Sequence, residues 1–178
     1  LALAISKQNS ALVEKLLNHG AKVAEPNPNG FPPIVMAVDL GSTNLVTLLL
    51  KHGADVNTRG WSGRPPLQVA VGEGRVDLAE LLLAHKADPS LRNEAGETPL
   101  HTAVSSGNKE LVALLLAHKS DPNIRNRDGL TPLELAKQGK VAGPPGRRPG
   151  PTVFPGGDSQ PAAASATELA ELLRQHGA

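Results

Sequence analysis

Runs of three leucines at 48–50, 81–83 and 114–116 recur at a constant interval, each inside a stretch whose apolar residues fall at i, i+3 and i+4, as at Leu45, Leu48 and Leu49. That spacing places them on one face of an α-helix. Upstream of each lies a shorter apolar segment: GFPPIVMA, GRPPLQVA, GETPLHTA and GLTPLELA, opening at Gly30, Gly63, Gly96 and Gly129. Proline at the first helical position is tolerated because its missing N–H would have been unpaired there, so these segments predict short helices. Glycine breaks at 41, 74 and 107 separate the short helix from the longer one. The longer helix ends near HGAD, where Gly53 can adopt the left-handed conformation that closes a helix, and the following VNTRGWSG has the turn residues of a hairpin. The interval is 33 residues in every column, from the glycines through Leu45, Leu78 and Leu111 to Asp55, Asp88 and Asp121. Lys86 and Lys119 stand where Gly53 stands, and a side chain there costs about 1 kcal/mol unless the turn relaxes.

A 33-residue unit of hairpin, helix, turn and helix, with TPLH at 98–101 and LLLKHGADVN at 48–57, resembles the ankyrin repeat. The resemblance covers nearly the whole chain and implies an all-α repeat solenoid: a stack of helix-turn-helix units with short β-hairpins projecting from one edge. The frame divides the chain into units 1–26 (partial), 27–59, 60–92, 93–125 and 126–178, one domain in all. Only one unit carries the full TPLH; Pro32 and Pro65 take the place of a threonine that could cap the helix. The last unit is too long, since Pro151 occupies the place of the expected histidine and His176 follows 25 residues later. The extra residues fall between its two helices. Residues 141–166 contain six prolines and many Gly, Ala and Ser, a composition for an inserted surface loop. Lys15 and Arg174 replace leucines of the inner units, as expected of end units with one face uncovered, and the stack is expected to end at Ala178.

Composition narrows the function. With 39% hydrophobic residues and only 2% aromatic, the core is built from Leu, Ala, Val and Ile. The absence of cysteine excludes thiol chemistry and cysteine-zinc sites and fits an intracellular setting, cytoplasmic or nuclear. A net charge of +1 gives no general basic field for nucleic acid or membrane surfaces, and no apolar run approaches the length of a membrane span.

Histidines at 19, 52, 85, 118 and 176 form a column, but packed helices lie about 8–10 Å apart, too far for neighbouring layers to share one metal. Helix-end hydrogen bonding explains them better. For His101 the resemblance implies that it braces the turn. Asp55, Asp88 and Asp121 leave a helix one per layer and read as turn-stabilising residues. No phosphate loop, metal-protease motif or nucleophile with a histidine partner emerges, so no catalytic residue, cofactor or metal is expected.

The hairpin tips are freer of packing constraint. Arg59, Arg92 and Arg125 recur there at the period, with Arg64 and Arg127 nearby, and Glu94, Glu97 and Asp128 lie among them. Guanidinium groups in a stripe suit an acidic or phosphorylated peptide; the same residues also suit a solvated surface. Phe31 and Trp61, two of the chain's three aromatics, fall on adjacent hairpins and are candidates either for partner contact or for packing between fingers. The resemblance further implies a concave surface formed by the first helices, to which Asp39, Leu40, Glu73, Ser105 and Ser106 would contribute. The expected function is therefore a protein-protein interaction module, an adaptor or scaffold for a peptide or folded partner, with a monomer expected and the oligomeric state left open by the sequence; the alternative is a regulatory or structural segment of a larger enzyme, channel or ubiquitin-ligase subunit.

Overall fold

A computed structural model describes residues 1–138 and 166–178. Ten helices are described, in pairs: α1 (Ala2–Ser6) with α2 (Ser10–Asn18), α3 (Pro33–Asp39) with α4 (Thr43–Lys51), α5 (Pro66–Gly72) with α6 (Val76–Ala84), α7 (Pro99–Ser105) with α8 (Lys109–Ala117), and α9 (Pro132–Lys137) with α10 (Ala166–Gln175). The short helices pack on one another in chain order, and so do the long ones, giving two rows of helices in which each pair is one layer of the stack. The segment expected as an inserted loop lies between α9 and α10, outside the described residues except for Ala166, which opens α10.

The leucine columns form the core. Leu45, Leu78 and Leu111, then Leu49, Leu82 and Leu115, are essentially without solvent contact, and Ile34, Leu67 and Leu100 face them from the short helices. Complete burial of a leucine contributes about 1.5–3 kcal/mol, so identical layers repeated in register supply most of the stability. In the first layer, Leu12 occupies the same column but is 44% exposed. Lys15 and Arg174 are exposed as well.

Local chemistry fixes each pair. The long helices α2, α4 and α8 are capped by Asn9, Ser42 and Asn108, whose side chains accept the N–H of Leu12, Leu45 and Leu111. The short helices α3, α5, α7 and α9 begin with Pro33, Pro66, Pro99 and Pro132. Lys86 and Lys119 keep φ of 67° and 63°, so the turn does not relax around them and the strain of a left-handed lysine is retained.

The hairpins differ from expectation. No strand occurs among the described residues, and each finger is a tight turn closed by a few backbone bonds of its own, such as Asn93 N–H to Glu97 O with Gly96 N–H to Asn93 O, or Asn126 N–H to Leu130 O with Gly129 N–H to Asn126 O. In three fingers an asparagine stands at the base and holds the turn. Oδ1 of Asn27, Asn93 and Asn126 each accepts two backbone N–H groups, which removes those donors from a ladder. The finger of the third layer has Gly60 in that position instead and forms a single 3-10 turn, Trp61–Gly63, with Ser62 at φ 54°. Only glycine fits at 60: a Cβ there would lie 2.7 Å from Val35 Cγ1.

Candidate binding groove

The second and third layers enclose an open groove of about 640 Å³. Val35 and Met36 of α3 and Val69 of α5 supply apolar lining, and Asn27 Nδ2 rests 3.4 Å from the Met36 sulfur. The fingers contribute Phe31, half-buried, and Trp61, 64% exposed, with ring centroids 6.5 Å apart and planes inclined at 58°. Through this tilted contact the rings pack between fingers, and both keep surface toward the groove. At the ends of the short helices stand Asp39, Leu40 and Glu73, all exposed, while Arg64 follows Trp61 on the finger.

The structure thus brings Phe31, Trp61, Arg64, Asp39, Leu40 and Glu73 together in one cavity. The other expected site residues lie outside it. Arg59 donates to the carbonyl oxygens of Gly63 in its own finger and Arg92 in the next. Arg125 donates to the Gly129 carbonyl and pairs with Glu134 at 2.8 Å. These two guanidinium groups tie fingers to the stack. Arg92 and Arg127 remain exposed at their tips. Glu97 accepts from Asn93 Nδ2, Glu94 donates its backbone N–H to Ser62 O, and Ser106 donates its hydroxyl to Ala103 O. Ser105 is half-buried at the end of α7.

Below the fingers runs a column of bracing residues. His101 is fully buried; its Nδ1 accepts the Thr98 N–H at 3.2 Å and lies 2.9 Å from Thr98 Oγ1, so Nε2 carries the proton and donates to Leu130 O at 3.1 Å. Burial lowers its pKa below the ordinary 6.5, overriding the opposite pull of the Leu130 carbonyl. Gln68, one period earlier, donates from Nε2 to Glu97 O and Thr102 Oγ1 in the corresponding register. That role was missed, although its position in the His101 column is visible in the sequence. Glu134, one period later, closes a capping box with Thr131; the Thr131 backbone N–H, helped by Arg125, lowers its pKa below 4.5. Arg75, also missed, reaches from the start of α6 to the Gly41 carbonyl at 2.7 Å and meets Asp77 at 3.4 Å. No spacing in the sequence signalled it.

His19 and His176 bond through Nδ1 to the carbonyls of Lys15 and Leu172, as helix-end residues. Asp55, Asp88 and Asp121 each accept the N–H two residues on, as turn residues do. Among the described residues, no three His, Asp or Glu side chains gather as metal ligands would, and no helix is long and apolar enough to cross a membrane.

A family model described as ankyrin repeats (3 copies) matches residues 1–93 and again 69–142, spanning most of the chain. The chain belongs to the ankyrin-repeat family. Such repeats generally serve as protein-interaction modules. Comparison with curated proteins returns no match.

Proposed function

We propose that this ankyrin stack is a recognition module, without catalysis of its own, that holds an extended segment of a partner protein in the groove of its second and third layers. The observation that carries this reading is Trp61, 64% exposed in an aromatic-poor chain and aimed into a groove lined by Phe31, Met36 and Val69. The Trp61 ring touches Phe31, and most of its surface stays in water. On contact with a partner it buries a large apolar area, and tryptophan with arginine is a favoured pairing at binding centres. The backbone around it is fixed by the stack, so binding orders little of the module.

The arginine column suits an acidic or phosphorylated partner less than its sequence pattern does, because Arg59 and Arg125 already serve carbonyl and carboxylate groups of the stack. Arg64 in the groove is the arginine we assign to partner contact. Peptides selected on the full chain from a random display library provide the test. Replacing Trp61 and Arg64 together by alanine lowers affinity for them at least about tenfold while barely changing the melting temperature. Equal affinity in the double variant rejects the groove.

A further inference from the structure

Asp39 and Glu73 lie where a helix tolerates a carboxylate least. Asp39 is the last residue of α3 and Glu73 the residue that follows α5, and neither helix has a basic residue in its last turn. The peptide dipoles leave the C-terminal end of each helix partly negative, so a carboxylate there is repelled; the nearby Arg75 guanidinium takes the Gly41 carbonyl past the end of α3 and pairs with Asp77, not with Asp39 or Glu73. Both side chains are exposed, and neither takes part in an ion pair within the described stack. They belong to adjacent layers and line the same groove, whose charged lining is two carboxylates against one guanidinium, that of Arg64. The corresponding rim of the fourth layer has Ser105 and Ser106 in these positions and carries no such charge.

We propose that the groove is selective for a cationic segment, one in which a lysine or arginine stands beside a bulky apolar residue. The apolar side chain lies against Phe31, Trp61 and Met36. The cation is directed to the rim of Asp39 and Glu73, where it meets two carboxylates and two helix ends of the same sign. Arg64, on the finger side, takes a carbonyl or carboxylate of the same segment and fixes its direction. This rests on reading the groove as the partner site, and it assigns that site a charge opposite to the one suggested by the arginine column. The carboxylates cost the free stack some helix stability, which a bound cation relieves.

The experiment uses the full chain and a random-peptide display library, followed by titration of fluorescein-labelled copies of the selected peptides. The expected selection is enriched in lysine or arginine next to leucine or an aromatic residue. Asp39→Lys with Glu73→Lys weakens those peptides at least about tenfold and turns selection toward acidic sequences. The same pair of substitutions raises the melting temperature by about 1–4 °C, because a cation now stands at each helix end. A fall in melting temperature would instead make the two carboxylates part of the fold and overturn the inference. Selection of neutral or acidic peptides that Trp61→Ala weakens would overturn the assigned charge and leave the groove standing. Selected peptides indifferent to Trp61→Ala would remove the groove reading and this inference together.

Discussion

At the column that braces each short helix against the next finger, the second layer has Val35, the third Gln68, the fourth His101 and the fifth Glu134. The last two make full sets of bonds: His101 joins Thr98 to Leu130, and Glu134 joins Thr131 to Arg125. The first two do not. Val35 has no polar group, and the Oε1 of buried Gln68 has no hydrogen-bond partner. The threonine caps show the same division, with Pro32 and Pro65 in the second and third layers and Thr98 and Thr131 in the fourth and fifth. The half of the stack with the weaker internal polar network is also the half with exposed Trp61 and the acidic rim. The replacing residues, Pro32, Val35, Pro65 and Gln68, are themselves buried, and only Val35 of the four lines the groove, so the weaker network lies beneath the groove.

The sharpest way to test that contrast is to remove the brace from each half. His101→Leu strands the Thr98 N–H and leaves the Leu130 carbonyl with the Asn126 N–H alone, and should lower unfolding free energy by about 2 kcal/mol in urea titration. Gln68→Leu removes an orphaned acceptor along with its bonds, and should cost no more than about 1 kcal/mol. Similar losses at the two positions would erase the distinction.

Acid separates the halves next. His101 is held neutral in the fold, with its pKa below 6.5, whereas the unfolded chain takes up the proton near that value. Protons then favour the unfolded state, so the contribution of His101 is complete above pH 6.5 and is lost as pH falls through the lowered value. A His101→Gln variant should be flat across this window. Glu134, whose pKa is lowered from 4.5, begins to lose its contribution only below that pH, so the loss in acid starts at His101.

Lys86 and Lys119 provide a smaller test across the boundary between halves. Both hold positive φ where Gly20 and Gly53 sit in the same column. Replacing either by glycine should stabilise the chain by up to about 1 kcal/mol in the same titration, with no effect on peptide affinity. The smallest expected change is that of Trp61→Ala on stability, within about 1 kcal/mol, because most of the ring is already in water.

The framework was legible in the sequence because layers are local and repeated: the leucine columns, the proline starts, the glycine breaks and the aspartate turns are each printed several times. The hairpins were misread as strands because the turn signals of a ladder and of an asparagine-held turn are the same residues; only the coordinates show that Oδ1 of Asn93 takes the N–H groups of Ala95 and Glu97. The site was legible in part. Phe31 and Trp61 stood out by rarity, and Asp39, Leu40 and Glu73 by position, but their meeting in one groove depends on the angle between fingers and helices, which no spacing records. The arginine column carries a second role that its periodicity does not reveal: Arg59 links its finger to the next, and Arg125 links its finger to Glu134 of α9.

Trp61 is the only tryptophan of the chain, so its fluorescence reports on the groove without labelling. The direct measurement is acrylamide quenching of that emission, with and without a saturating peptide selected on the full chain. Burial of the indole by the bound segment predicts a blue-shifted emission and at least about a twofold drop in quenching. An unshifted spectrum, quenched as strongly with peptide bound as without, would place recognition elsewhere on the stack.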